Sequence, residues 1–249
     1  KLNNKNSTGS SILMRYTLRL LTTQQFQRAS SLICACEILR RKNKDELGEK
    51  SISIGLWVGS NVTPNDMTDA EFNLNELMSQ TDETDTSKNK FIILKCPWCN
   101  CDMGAQNYQI HKKKFKFVCS NKLCNFSDIS ESLPIKVIDT EIYKDPPTLL
   151  IGTIDKFATL PWREEAINCF NNTNNENFEP PDLVIQDELH LISGPLGSIA
   201  GMYEIIIKAI SEVNSQNQTT RKAKIIGSTA TISRANLQIR NLYGRQCNI

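Results

Sequence analysis

Asp187, Glu188 and His190 follow directly on the apolar run Leu183-Val184-Ile185, which is introduced by Pro180-Pro181. A short apolar run bounded by turn residues reads as a buried strand. Acidic side chains at the carboxyl end of such a strand sit where open α/β sheets place their ligands. Two adjacent carboxylates suit a magnesium nucleotide. Asp187 holds the metal, usually through water, and Glu188 orients and deprotonates an attacking water. An Asp-Glu pair also occurs at helix entries, where the macrodipole favours negative charge. The pair therefore gains weight only from what surrounds it.

Cysteine supplies the second constellation. Cys96-Pro97-Trp98-Cys99 and Cys119-Ser120-Asn121-Lys122-Leu123-Cys124 are separated by 19 residues. Two short-spaced pairs joined by a hairpin-sized spacer fit a tetrahedral zinc site with four thiolates, Cys96, Cys99, Cys119 and Cys124. The second pair has four residues between its cysteines, so its turn must be wide. Cys101 offers an alternative partner for Cys99, and His111 an alternative ligand. A hairpin this small cannot fold on its own core, so metal would supply folding energy. Six Lys stand against one Asp in residues 91–127, and Lys112, Lys114 and Lys116 surround Phe115 and Phe117. Alternation puts the lysines of this run on one strand face, either as a solvated surface or as contacts to a phosphate backbone.

The elements that must position these groups alternate strand and helix. Ile12-Leu13-Met14 begins a strand, and Thr22 or Thr23 opens a helix carrying Phe26, Ala29, Ile33 and Cys36. Arg40-Arg41-Lys42 suits that helix's carboxyl end. Thr148–Ile151 and Leu183–Ile185 are further strands, and Gly194-Pro195 starts a second helix. Lys224–Gly227 is a fourth strand, and Ser233 caps a last helix that ends near Gly244. Such alternation predicts a parallel sheet covered on both faces. Residues 51–145 interrupt the rhythm with a polar linker and the cysteine module (about 91–127), and 171–179 form an Asn-rich loop. The expected organisation is 1–50 as the start of an α/β domain, 51–145 as an insertion, and 146–249 as the remainder.

Composition narrows the class. The chain has 249 residues, of which 39% are hydrophobic and 22% charged, as in ordinary globular proteins. No apolar run approaches the length of a membrane span. A net charge of +2 implies no nucleic-acid binding by itself, so any such binding must come from local patches. Nine cysteines with no secretory leader argue for reduced thiols and a cytoplasmic protein.

Three further segments carry a resemblance. Arg15-Tyr16-Thr17-Leu18-Arg19-Leu20-Leu21-Thr22-Thr23-Gln24 resembles motif Ia of superfamily 2 helicases, in which a strand-to-helix turn meets the nucleic-acid backbone. Gly152-Thr153-Ile154-Asp155-Lys156-Phe157 looks like a later nucleic-acid motif of the same motor domain. Gly227-Ser228-Thr229-Ala230-Thr231 looks like motif III, and the Asp187–His190 box like a Walker-B Asp-Glu-x-His box. Together with Thr-Gln-Gln-Phe-Gln-Arg-Ala and the zinc-type insertion, the set is similar to the large helicase of bacterial DISARM phage-defence systems. The resemblance implies a RecA-like parallel sheet with helices on both faces, interrupted by a zinc-ribbon-like insertion. It implies ATP, Mg2+ and Zn2+ as cofactors, DNA as partner, further defence-complex proteins as possible partners, and no membrane. Carried onto these residues, Glu188, Asp187 and His190 are catalytic, and Thr229 and Thr231 couple the nucleotide to the strand. Arg19, Gln24 and Thr153 contact that strand.

Two departures matter. No Gly-x-x-x-x-Gly-Lys-Ser/Thr loop is present, and Ser7-Thr8-Gly9-Ser10-Ser11 has no lysine for the phosphates. A second motor domain with its arginine finger is also missing, as expected of a piece of a longer protein. This piece alone is expected to bind ATP poorly and to hydrolyse none measurably. The competing reading is a zinc-containing scaffold that binds nucleic acid or protein without turnover. A metal-dependent nuclease is disfavoured, because no further carboxylate converges on the box by spacing. Trp57, Trp98 and Trp162 read as packing residues.

Overall fold

The computed structural model describes residues 8–17, 23–79, 89–170, 178–211, 222–230 and 235–246. In chain order these form β1 (Ile12–Tyr16), α1 (Thr23–Lys42), α2 (Lys44–Leu47), β2 (Ile54–Trp57) and α3 (Met67–Met78). Next come β3 (Tyr108–His111), β4 (Lys114–Phe117), β5 (Ile135–Lys136), α4 (Asp139–Lys144), β6 (Leu149–Thr153) and α5 (Ile154–Phe157). The last are β7 (Leu183–Gln186), α6 (Gly194–Ser211), β8 (Lys224–Gly227) and α7 (Ala235–Tyr243).

Six strands make one parallel sheet in the order β5-β2-β6-β1-β7-β8, and β3-β4 is a separate antiparallel hairpin. The strand period of two divides the apolar side chains between two cores. Ile12, Met14, Ile54, Leu56, Leu149 and Ile151 pack on one face with Phe26, Ile33 and Cys34 of α1. Leu13, Trp57, Leu150 and Val184 pack on the other with Ile142 and Tyr143 of α4 and Ile207 of α6. A sheet buried on both faces is what an all-parallel arrangement requires, because its crossovers place helices on both sides. The expected α/β, RecA-like class with helices on both faces is therefore the observed one.

Residues 51–145 contribute more than an interruption. Two strands of the main sheet, β2 and β5, come from this span. All four residues of β2 are buried, so it has no alternation, and β5 is only two residues long. The cysteine hairpin is likewise not a separate bead. Phe115, Phe117, Tyr108 and Phe126 share one continuous core with α1, β2 and β6. Phe91 stacks on Phe115 at 4.6 Å between centroids, and Gln27 of α1 donates to the Lys95 carbonyl at 2.8 Å. Each buried Phe contributes roughly 1.5–3 kcal/mol of transfer free energy, so packing adds to whatever a metal supplies.

Close approach explains Gly152 in β6: a Cβ there would meet the Trp57 carbonyl at 3.1 Å and the Phe157 ring at 3.2 Å. Helix α7 ends at Gly244, whose φ of 61° is the left-handed conformation usual just past a helix end. The far edge of the sheet is less finished. Strand β8 has no outer neighbour among the described strands, and its Ile226 is 44% exposed. Among the described residues no helix is long and apolar enough to cross a membrane.

Candidate nucleotide and metal sites

The acidic box stands where the sequence places it, at the carboxyl end of β7. Asp187 donates its backbone N–H to the Arg15 carbonyl of the neighbouring β1 at 3.0 Å, which extends the sheet register to the first carboxylate. The chain then turns sharply. Glu188 adopts φ 49° and ψ 49°, and its N–H donates to Asp187 Oδ1 at 3.0 Å. A left-handed conformation at a residue with a Cβ costs on the order of 1 kcal/mol and clusters at functional sites. The turn swings the Glu188 carboxylate back to His190, with Oε2 to Nδ1 at 3.2 Å. Asp187, Glu188 and His190 are all partly exposed.

Strand β8 delivers the second half of the site. Leu189 N–H donates to the Ser228 carbonyl at 2.8 Å, and Ser228 N–H to the Gln186 carbonyl at 2.9 Å. Thr229 Oγ1 lies 3.4 Å from His190 Nδ1. The acidic box and the Ser-Thr-Ala segment thus meet at His190. Thr231 and Arg19 lie outside the described residues. Gln24 is exposed in the first turn of α1. Thr153, by contrast, is 2% exposed, and its hydroxyl makes no hydrogen bond among the described residues. As placed here it does not present its side chain to a strand, because β6 is an interior strand buried along its whole length.

Three further residues belong to this site; Arg15 and Tyr16 open the stretch that resembles motif Ia but are not among its expected site residues, and Gln238 is not singled out by the sequence. Tyr16, at the end of β1, is buried, and its phenol is raised above its usual range first by that burial and then by the Asp187 charge. Gln238 of α7 donates to the Leu189 carbonyl at 2.7 Å and the Ile192 carbonyl at 2.8 Å, clasping the segment that carries His190. Arg15 is 1% exposed and pairs with Glu204 of α6, with its guanidinium 5.5 Å over the Phe157 ring. Burial lowers its proton affinity, but the Glu204 and Tyr243 oxygens outweigh that, so it stays charged. Only Tyr16 and Arg15 carried a signal in sequence, as unusual polar residues in or beside a core strand.

The metal candidate is geometrically explicit. The Sγ atoms of Cys96, Cys99, Cys119 and Cys124 all lie within 4.8 Å of one another. Cys96 to Cys124 is 3.9 Å and Cys99 to Cys119 is 3.5 Å. A tetrahedral ion with Zn–S of about 2.3 Å requires sulfurs about 3.8 Å apart, so these four thiols could hold zinc. Cys101 points instead to Ser120 Oγ at 3.6 Å, and His111 sits exposed on β3; neither joins the cluster. Burial pushes Cys96 up to about 11, Cys119 to about 12 and Cys124 to about 11. Burial also opposes ionisation of Cys99, but the Cys101 N–H and the Cys119 thiol bring it down to about 7. Cys34 of α1 is raised by burial and then by its nearness to Cys96 and Cys124, so the metal module abuts α1.

On β4 the alternation holds: Lys114 and Lys116 lie on the outer face, Phe115 and Phe117 in the core. Lys112 is exposed at the hairpin tip. Of the tryptophans, Trp57 is buried, whereas Trp98 and Trp162 are 41% and 83% exposed and do not serve as core residues.

A parallel sheet carrying an acid pair and His190 at its carboxyl end, bonded to a Ser-Thr-Ala segment on the next strand, defines the RecA-like class. The relationship can be drawn more closely. The chain is 35% identical, over 96% of its length, to the DISARM protein DrmA of Bacillus paralicheniformis, so the resemblance read from the motifs holds. It is a relative of that protein, and it spans 24% of that protein's length. No family model matches. Among solved structures, the DUF1998 helicase MrfA superposes over 95% of this chain and 27% of its own, at 16% identity and a TM-score of 0.33.

Proposed function

We propose that this chain is part of the first motor domain of an ATP-dependent helicase or translocase that acts on DNA in bacterial phage defence. The observation that carries the reading is the three-part contact of Glu188, His190 and Thr229 at the carboxyl end of the sheet. In this reading Asp187 positions Mg2+, and Glu188 deprotonates the water that attacks the γ-phosphate. His190, Thr229 and Thr231 sense the phosphate and transmit its loss to the strand-binding segments. Arg19 and Gln24 lie on those segments, Thr153 takes part only through its backbone at the end of β6, and Lys112, Lys114 and Lys116 extend the contact to the hairpin. Zinc held by the four thiolates would brace the module against α1. The relative's membership of a DISARM system supports a defence role, alongside further proteins of such a complex.

Residues 1–50 and 146–249 supply the motor core in this proposal, and 51–145 the zinc-bearing insertion together with β2 and β5. The open edge of β8 is where a further strand of the motor would add. The test is ATP hydrolysis by the longer protein containing this chain, with and without single-stranded DNA. DNA-stimulated turnover that falls at least about a hundredfold in Glu188→Gln is the expected result. Absent turnover, with zinc-dependent DNA binding retained, would favour the non-hydrolysing scaffold.

A further inference from the structure

A cleft of about 710 Å³ opens between the cysteine hairpin and the edge of the sheet. Its walls are β4, the carboxyl end of α1, the segment before β2, the start of β5 and the end of α4. These are the amino ends of the parallel strands. The cleft therefore lies at the opposite end of the sheet from Asp187 and Glu188. Nine cationic and four acidic side chains line it, a formal excess of five positive charges in a chain whose net charge is +2.

The acids are already engaged. Glu37 is bonded to Arg40 and Arg41, and Asp145 to Lys50 and Lys136. Glu141 accepts the Phe115 N–H at 2.7 Å. Lys113, Lys114, Lys116 and Lys144 make no direct ion pair among the described residues. Cations from separate elements therefore face one another. The Lys116 amine is held below its usual range first by burial and then by Lys114. Lys50 is lowered by burial too, and Lys136 adds to the effect.

The hairpin tip adds an independent observation. Lys112 and Lys113, with φ of 49° and 60°, occupy the two central positions of the β3-β4 turn, opposite the His111–Lys114 pair. Positive φ at both central residues is the type I′ pattern, normally filled by Asn-Gly. Two lysines there carry strain that hairpin closure alone does not require.

We infer that this cleft binds the phosphates of a polyanionic chain, with Lys113, Lys114 and Lys116 on one wall and Lys50, Lys136 and Lys144 on the other. The lining offers charge but no aromatic platform for stacking a base: its one aromatic, Phe115, is buried against Phe91. Recognition is therefore carried by phosphate charge and not by base stacking. The ligand is a nucleic-acid strand or a free inorganic polyphosphate, which share that chemistry. Because the cleft is remote from the acidic box, binding there needs no nucleotide turnover and is read without it; where the ligand is a strand, the inference deepens the hairpin contact of Lys114 and Lys116 proposed above.

The test is calorimetric titration of the zinc-loaded 249-residue chain with tripolyphosphate and, separately, with a short single-stranded oligodeoxynucleotide, over a salt series. Lys114→Gln/Lys116→Gln and Lys144→Gln are each expected to weaken binding about tenfold or more and to flatten the salt dependence. Lys122→Gln, exposed on the same module but outside the cleft, should leave it unchanged. Lys144 is exposed on a different element from β4, so the inference does not hang on the folding of one hairpin variant. Tighter binding of the oligonucleotide would identify a strand as the natural ligand, and binding of tripolyphosphate alone a free polyphosphate. Binding of neither probe, or equal losses in Lys122→Gln and the cleft variants, would overturn the inference.

Discussion

Removing the charge of Glu204 should destabilise this protein more than most single substitutions. Arg15 is 1% exposed and Glu204 11%, and two further Arg15 nitrogens, Nε and Nη2, have no hydrogen-bond partner among the described residues. Glu204→Gln keeps the size and one acceptor but leaves the guanidinium buried without a counter-charge. Breaking a buried pair from one side costs roughly 3–5 kcal/mol, whereas replacing both partners by apolar residues is often neutral or stabilising. Against a total stability of about 5–15 kcal/mol, that loss is roughly a fifth or more. The assay is urea unfolding followed by fluorescence, with buried Trp57 among the reporters. Glu204→Gln should lower the midpoint by about 1–2.5 M at an m-value near 2–3 kcal/mol/M. Arg15→Met/Glu204→Leu should recover most of the loss. A Glu204→Gln protein within about 0.5 kcal/mol of the parent, or a double variant as unstable as the single one, would refute the reasoning. The pair also bears on the site, because the Arg15 carbonyl accepts the Asp187 N–H and the Gln186 side-chain amide.

Other expectations can be checked in the same protein. Cys119→Ser, or a strong chelator, should abolish the bound zinc measured by elemental analysis and speed hydrogen exchange in both the 91–127 module and α1, since Cys34 abuts the cysteines; exchange limited to the module would argue against that coupling. Gln238→Leu should leave the Ile192 carbonyl without its Gln238 donor, and the Leu189 carbonyl with only the Ile192 N–H, at a cost of about 1–3 kcal/mol. It should also reduce turnover of the longer protein more than Tm alone explains, so a variant with unchanged turnover would remove Gln238 from the site. Burial by itself would raise Glu37, but hydrogen bonds from Arg40 and Ile52 hold it below its ordinary 4.5. Its contribution is complete above the unfolded value of about 4.3 and is lost as pH falls through the lower folded value. Glu37→Gln should therefore flatten the acid limb of a Tm-versus-pH curve below about pH 4.5, and a parallel shift at all pH values would contradict that assignment.

Sequence by itself determined the features that rest on local chemistry. A strand followed by two carboxylates, helix starts at Thr23 and Gly194, the helix end at Gly244, and paired cysteines are written in neighbouring residues. β8 matches its expected span, Lys224–Gly227. Alternation on β4 likewise separated its lysines from its aromatics. Tertiary structure decided what depends on distant partners. Four cysteines left several ligand sets open, and only the approach of Cys96 to Cys124 across 28 positions excluded Cys101 and His111. β2 is buried on both faces and β5 is two residues long, so neither carried a periodicity to read, and both were recognisable only once paired. Thr153 matched a strand-contacting motif, yet its side chain is enclosed by the packing around β6. The cationic cleft is likewise a property of the assembled chain: Lys50, Lys116, Lys136 and Lys144 are scattered in sequence, and only the packing of a hairpin against a sheet edge makes their charges repel one another.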